Sequence, residues 1–488
     1  MISNPPLISR RKLWRMPRPR RLTDLLAAAA VIMLAGCANV PRGAGFNTIS
    51  KAVRARTGNT VVWNDSALAD AQVRAAVKKL LAHPLSASGA VQIALLNNQS
   101  LQADYESLGI SEANLVEAGL LHNPVFSIDL RFPARPYHGW DASVDQTFLD
   151  LLFMGAKKKI ARAEFAAQQA KVTADVLSLG GRTRKTYYRL QADEQILALN
   201  KTISLAARDA VRFARRLRQA GNIAAIGYDQ KLALYQQARL AVAEAQADVL
   251  ENRQRLNSLM GIWGARARWT LPSRLPTIPA VQTPLAGLES LAIRNSLAIA
   301  AARSRLLAAA QTMKISGAAG LLSGATVGLN YVRDPDVAGT LGPALSIPLP
   351  IFNQGQPAMA RARARYLAEY RRMNALAVNL RAQVRRRWIR MTAAQHKAIF
   401  YQKIMLPLRR RIFNETQLAY NGMYAGPYPL LLARQNEIRA ARRMVQSAAQ
   451  YWIARAALIH TLNGPLPATG KTTRPAAKMP STRYTVTK

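Results

Sequence analysis

The sequence predicts a mainly α-helical fold with a small β part, laid out as an internal two-fold repeat. Three observations predict it. From Gly155 to Gly221 there is no proline, and the composition is Ala, Leu, Arg, Lys, Gln and Glu, all strong helix formers. A helix of that length spans about 100 Å, more than an ordinary globular domain holds. Between Val125 and Phe148 the pattern instead alternates. Phe126, Ile128, Leu130 and Phe132 point one way, and Ser127, Asp129 and Arg131 the other; Trp140, Ala142, Val144 and Phe148 then alternate with Asp141, Ser143, Asp145 and Thr147. That is the period of two-faced strands. Third, glycine landmarks recur: Gly155 to Gly221 is 66 residues and Gly355 to Gly422 is 67, while Gly221 to Gly261 is 40 and Gly422 to Gly464 is 42. Matched spacings in matched settings argue for duplication.

In chain order, residues 1–36 read as a leader. Arg10, Arg11, Lys12, Arg15, Arg18, Arg20 and Arg21 precede an apolar run from Leu25 to Leu34, too short to span a bilayer as a mature helix. Leu34-Ala35-Gly36-Cys37 resembles a bacterial lipobox, in which the cysteine is lipidated and becomes the mature N-terminus. A short buried helix with a chance cysteine, or a twin-arginine signal at Arg10-Arg11, are the other readings. Cys37 is the only cysteine, so no internal disulfide and no cysteine metal cluster can form. No cofactor is expected beyond lipid on Cys37. Ala38 follows it, and in lipoproteins of this type a residue other than Asp there implies outer-membrane sorting.

Residues 37–85 read as a linker with a short helix or two. The first repeat, 86–264, holds a helix from about Ser88 to Leu121, the strands at about 125–148, and a long helical hairpin. Its first arm turns at Gln219-Ala220-Gly221-Asn222; the Gly180-Gly181 pair is a candidate bend. Prolines at 272, 276, 279 and 284 make a linker, 265–284. The second repeat, 285–464, holds a helix from about Leu285 to Ile315, strands at about 325–349, and a second hairpin turning at Asn421-Gly422. Pro407 marks a joint in its first arm. The tail, 465–488, is rich in Pro, Thr, Ala and Lys and reads as disordered.

The formal net charge is +42, from 68 Lys+Arg against 26 Asp+Glu. Such a charge first suggests nucleic acid, but the basic residues are scattered among alanines and form no compact module with aromatic interleaving. A basic periplasmic scaffold or nucleic-acid-binding coiled coil stays a rival reading. His83, His122, His138, His396 and His460 have no metal spacing, and no phosphate-binding or nucleophile motif is present. The chain is expected not to be an enzyme.

Four strands cannot close a barrel, and an open sheet edge is forbidden in lipid. Several chains must therefore share one barrel. The lipobox at Cys37, Ala94-Leu95-Leu96-Asn97-Asn98, Leu349-Pro350-Ile351-Phe352-Asn353-Gln354-Gly355, and the tip segments Gln219 to Gln230 and Tyr420 to Gln435 together resemble the TolC family of outer-membrane efflux channels, in its lipoprotein branch. The resemblance covers roughly residues 85–464. It implies a homotrimer with a shared twelve-stranded barrel and a long periplasmic helical cylinder, docked to a periplasmic adaptor and an inner-membrane pump. Small molecules or metal ions are the implied cargo, with type I protein secretion as the alternative.

The helical tips are the candidate site. Gly221, Asn222, Ile223, Ile226, Tyr228 and Asp229 lie at the first tip, and Gly422, Met423, Tyr424, Pro427 and Tyr428 at the second. Apolar and aromatic groups on an exposed turn call for a partner, either an adaptor or the neighbouring tips of a trimer. Gly221 and Gly422 are expected to serve the turns through positive φ, and Asp229 to serve the turn or a helix start rather than act as a gate. Many relatives ring the mouth with acids at the second tip. This chain has none between Gly422 and Arg434, with Leu432 near the expected place. The arginine runs at 361/363/365, 385–387 and 409–411 are expected to be solvated helix faces, with pore lining as the sharper option.

Overall fold

Each stretch of strong helix formers becomes a helix, and each alternating stretch a strand. The structure, a computed structural model, describes residues 40–41, 43, 45–132, 139–321, 324–334 and 338–467. Cys37, the leader 1–36 and the tail from 468 lie outside the described residues. From Gly43 onward the chain forms one unit. Its elements are α1 (Phe46–Thr57), α2 (Ala67–Leu81), α3 (Ala87–Asn97), α4 (Gln99–Glu117), β1 (Val125–Arg131), β2 (Gly139–Thr147), α5 (Phe148–Gln219), α6 (Ala225–Met260), α7 (Leu288–Asn295), α8 (Leu297–Leu321), β3 (Thr326–Arg333), β4 (Thr340–Ser346), α9 (Gln356–Phe400), α10 (Leu406–Asn421) and α11 (Pro427–Leu462).

The four strands form one antiparallel sheet in the order β1-β2-β3-β4. Register decides what each face carries. Phe126 pairs with Val144, Ile128 with Ala142 and Leu130 with Trp140. Val144 pairs in turn with Leu329 and Ala142 with Tyr331, and Leu329 pairs with Pro343, Tyr331 with Leu341 and Val327 with Leu345. One face is therefore apolar across all four strands. The other carries Ser127, Asp129, Asp141, Ser143, Asp145, Thr326, Asn330 and Ser346. The apolar face is bare: Phe126, Ile128, Leu130, Leu329, Leu341 and Leu345 are all exposed. β4 stops at Ser346, short of the expected Leu349, because Pro348 and Pro350 cannot donate to a ladder.

α5 holds 72 residues, about 110 Å, and starts directly after β2. It runs through Gly180-Gly181 uninterrupted. The pair serves close packing: a Cβ on Gly180 would sit 3.3 Å from Val91 of α3, and one on Gly181 3.0 Å from the His460 ring of α11. The corresponding arm of the second repeat is divided. α9 ends at Phe400, a π-helical turn spans Tyr401–Met405, and α10 begins before Pro407. Proline has no N–H for the carbonyl four residues back, and its ring collides with that carbonyl; a wider turn absorbs both.

Two helices expected as single are split. Asn98 ends α3 and caps α4, accepting from Leu101 N at 3.1 Å. Ser296 does the same between α7 and α8, accepting from Ile299 N at 3.2 Å. The Asn97-Asn98 pair also closes α6. Asn97 donates to the carbonyls of Met260 (3.1 Å) and Gly261 (2.6 Å), and Asn98 to that of Leu259 (3.0 Å). These carbonyls have no partner within their own helix.

The Pro-Ile-Phe-Asn-Gln-Gly stretch has a local cause as well. Asn353 accepts from Gly355 N at 3.0 Å. Gly355 takes φ 85°, and a Cβ there would sit 3.1 Å from the Gly317 carbonyl of α8. The stretch is a turn that starts α9 tight against α8. The main core lies midway along the long helices, where α1–α4 and the 265–284 linker wrap them. Ile49, Val77, Leu85, Ile93, Tyr105, Val176, Leu190, Leu256, Met391, Trp452 and Leu458 are buried together there.

Candidate functional site

Each tip is a helix end closed by a left-handed residue. At the first, Gly221 has φ 74°; Gly221 N donates to Arg218 O (3.0 Å) and Asn222 N to Leu217 O (2.8 Å). This is the paired-bond helix stop that glycine favours. At the second tip the expected residue is not the one used. Gly422 has φ −82°, and the left-handed residue is Met423, φ 62°. Met423 N donates to Tyr420 O (3.1 Å) and Tyr424 N to Ala419 O (2.8 Å), the same bond pair as at Gly221. Gly422 instead makes room for an aromatic ring, since a Cβ there would sit 2.9 Å from Tyr424.

The duplication register follows. Gly221 corresponds to Met423, and Gly261 (φ 65°) to Asn463 (φ 49°); both pairs are 202 residues apart. Gly422 and Gly464 each stand one position off the true equivalents. Met423 and Asn463 are the two non-glycine residues with positive φ among the described residues. Asparagine tolerates this conformation; methionine does so at a cost of about 1–2 kcal/mol. Met423→Gly is therefore expected to raise the stability of the chain only by a few tenths of a kcal/mol up to about 1 kcal/mol, relief of about 1–2 kcal/mol of strain less about 0.4–1 kcal/mol for the freer unfolded chain, read as a higher thermal midpoint in detergent.

The structure brings the two tips together. Lys231, in the second turn of α6, sits 4.2 Å over the ring of Tyr428, which is the second residue of α11, and Arg218 lies 5.3 Å over Tyr228. These stacked rings are half-buried, so part of the aromatic content serves tip-to-tip packing within one chain. What remains uncovered is Ile226 at one tip and Met423 and Tyr424 at the other, 93% and 91% exposed for the last two. Asn222 and Asp229 are exposed and Ile223 is half-buried; Asp229 is the fifth residue of α6. It lies in the second turn, and the first turn of α6 holds no acid, so Asp229 does not start the helix as the sequence predicts.

The arginine runs divide by what their donors reach. Arg385 pairs with Glu289 of α7. Arg387 donates to Ala457 O at 2.6 Å and to the Thr461 hydroxyl. Arg56 donates to Asn295 O (2.7 Å) and Asn463 O (3.2 Å), satisfying carbonyls at the ends of α7 and α11. Arg410 pairs with Glu437. The charge at 361, 363 and 365 lies mostly on exposed helix. Among the described residues no group of three or more His, Asp or Glu could hold a metal. No helix among them is long and apolar enough to cross a membrane.

His460 shows the cost of so much positive charge. Its ring packs on Gly181; burial, then Arg387, Lys185 and Arg182, push its pKa down to about 4. The unfolded chain takes up a proton below about 6.5 while the folded chain resists until about 4. Stability from the neutral ring is thus complete above pH 6.5 and is lost as pH falls through 4. His460→Gln cannot protonate. It is expected to lose about 2 kcal/mol less than the parent between pH 7.5 and pH 5, measured by thermal or denaturant midpoints.

No protein-family model and no curated protein matches the chain. Solved structures do. The chain is similar to the Campylobacter jejuni CmeC outer membrane channel, with TM-score 0.65 and 15% identity over 78% of this chain and 85% of that one. It is similar to the open state of the Neisseria gonorrhoeae MtrE outer membrane channel, with TM-score 0.63 and 19% identity over 78% and 89%. It is similar to the outer membrane protein VceC of Vibrio cholerae, with TM-score 0.62 and 18% identity over 81% and 97%. The chain has the TolC-family channel fold. At these identities the likeness is one of fold. Long helical hairpins with a few strands per chain are that architecture.

Proposed function

We propose that three copies of this chain form an outer-membrane conduit, pooling twelve strands into one barrel above a continuous helical cylinder. The carrying observation is the sheet. One face is apolar across four strands and exposed, and β1 and β4 each leave an edge without a partner among the described residues. Lipid covers such a face, and neighbouring chains complete such edges. Aromatic side chains mark both ends of the apolar band: Phe126 and Phe352 on the helical side, and Trp140 against Tyr331 (5.0 Å between rings) on the far side. Outer-membrane barrels carry such girdles. A soluble basic scaffold would leave the whole face in water.

Lipid on Cys37 would anchor each chain in the same membrane. The conduit is passive, with energy supplied by an inner-membrane pump, and the tips dock a periplasmic adaptor through Ile226, Met423 and Tyr424. Met423 keeps a costly backbone conformation while its side chain stays in solvent, and strain of that kind points to a role in recognition. The test is complementation of a deletion strain scored against a panel of drugs and metals. Tyr424→Ala is expected to leave trimer in the outer membrane but to lose efflux, with adaptor affinity lowered by about 2 kcal/mol, roughly thirtyfold. Full complementation by Tyr424→Ala together with Met423→Ala would remove the tips from the docking surface.

A further inference from the structure

The long helices have a wrapped side and a bare side midway along their length. On α5, Tyr187 donates to Leu85 O (2.8 Å) and Gln191 to Pro272 O (2.9 Å). On α9, Trp388 donates to Thr283 O (2.8 Å) and Gln395 to Pro279 O (2.6 Å). On α11, Trp452 donates to Pro276 O (3.0 Å). All three helices turn these side chains to the wrapping segments. Lys185 lies two residues from Tyr187, and Arg386 and Arg390 lie two residues either side of Trp388. At about 100° per residue each is turned roughly 160° from those side chains; Arg386 and Arg390 reach the bare side, while Lys185, four residues from Gly181, stays half-buried at its edge where α5 meets α11. Arg386 and Arg390 are exposed. Among the described residues, none of the three makes an ion pair.

Around them the charge is of one sign. The ionisable neighbours that act on Arg387 are Arg386 and Arg390, and the one that acts on Lys185 is Arg387. Half-buried like charges repel unless a counter-charge sits among them. The carboxylates of α5 stand farther along it and off this face: Asp175 pairs with Lys171 at 3.1 Å beside Asp104 of the wrapping helix α4, and Asp193 accepts from Asn252 of α6 at 2.9 Å.

We infer that the bare side of α5 and α9 at this level, Lys185 with Arg386 and Arg390, is an anion-binding ring that favours passage of small carboxylate- or phosphate-bearing solutes. The inference rests on the conduit reading, in which the bare side faces the pore and threefold symmetry repeats the patch around it. A ring of one sign in a confined passage concentrates the opposite ion. It also gives the uncompensated arginines a role that helix capping does not.

Full-length trimer in planar bilayers, under a potassium chloride gradient at low ionic strength where screening is weak, tests it. The reversal potential is expected to show chloride preferred over potassium. The combined variant K185Q/R386Q/R390Q is expected to lower that preference severalfold, and added inorganic phosphate to block the parent more than the variant. Arg381→Gln, seven residues before Trp388 and so on the wrapped side, is expected to change nothing. Trimers that conduct but prefer potassium, or a preference that the combined variant leaves unmoved, would overturn the anion ring and leave the conduit standing. Trimers without any conductance would overturn both.

Discussion

An arginine at Ile128 is expected to keep this chain out of the outer membrane, while an arginine one residue earlier is not. Ile128 is mid-strand in β1, opposite Ala142 on the apolar face, and more than half exposed in the single chain. If that face meets lipid, a cation at mid-depth costs about 2–4 kcal/mol in each chain, and three chains carry it at once. Ser127, its neighbour, pairs with Ser143 on the polar face, which looks into water in the proposed barrel. Ser127→Arg is therefore expected to assemble. Membrane fractionation with a gel that preserves trimers reads both. Equal assembly of the two variants would mean that the apolar face does not meet lipid.

The second large effect lies in the core. Gly261→Ala is expected to destabilise the chain by about 3 kcal/mol, measured as a shift in denaturant or thermal midpoint. Gly261 has φ 65°, and a Cβ there would lie 2.4 Å from the Asn97 carbonyl oxygen. That oxygen belongs to the backbone where Asn97 and Asn98 close α6, so it cannot swing aside. Gly464, its counterpart by sequence spacing, has no such demand. A Cβ there would meet the Asn295 side chain at an ordinary 3.5 Å. Gly464→Ala is expected to be close to neutral. The contrast tests the register in which Asn463 is the true equivalent of Gly261.

That pair shows what could be read from the sequence and what could not. Long proline-free runs and clean alternation are period signals repeated over many residues, so they survive local exceptions and carry the architecture. Glycine marks a left-handed position only while glycine fills it. Where Met423 and Asn463 took over, Gly422 and Gly464 stood beside them, and the landmarks were displaced by one residue. The split at Asn98 was written in the same Asn pair that carried the family resemblance. Its cause, capping α6 from more than 160 residues away, is tertiary and leaves no local period. The Gly180-Gly181 pair follows the same rule, since the need for space comes from Val91 and His460. At the tips, the exposed residues were legible as a cluster. The stacking of Lys231 on Tyr428, which joins the two hairpins, was not, because it depends on how two distant turns meet.

Arginine was the least legible feature. Its type announces charge, but Arg56 and Arg387 spend their donors on carbonyls at helix ends, and Arg385 and Arg410 on carboxylates across helices. Only orientation separates these from Arg386 and Arg390 next to them in the chain.

The shared barrel is the claim on which the conduit, the lipid-facing sheet and the pore-facing arginines all depend. The mass of the detergent-solubilised particle from outer membranes, by light scattering or native mass spectrometry, tests it most directly. Three chains per particle are expected. A folded, stable particle of one chain would contradict the shared barrel.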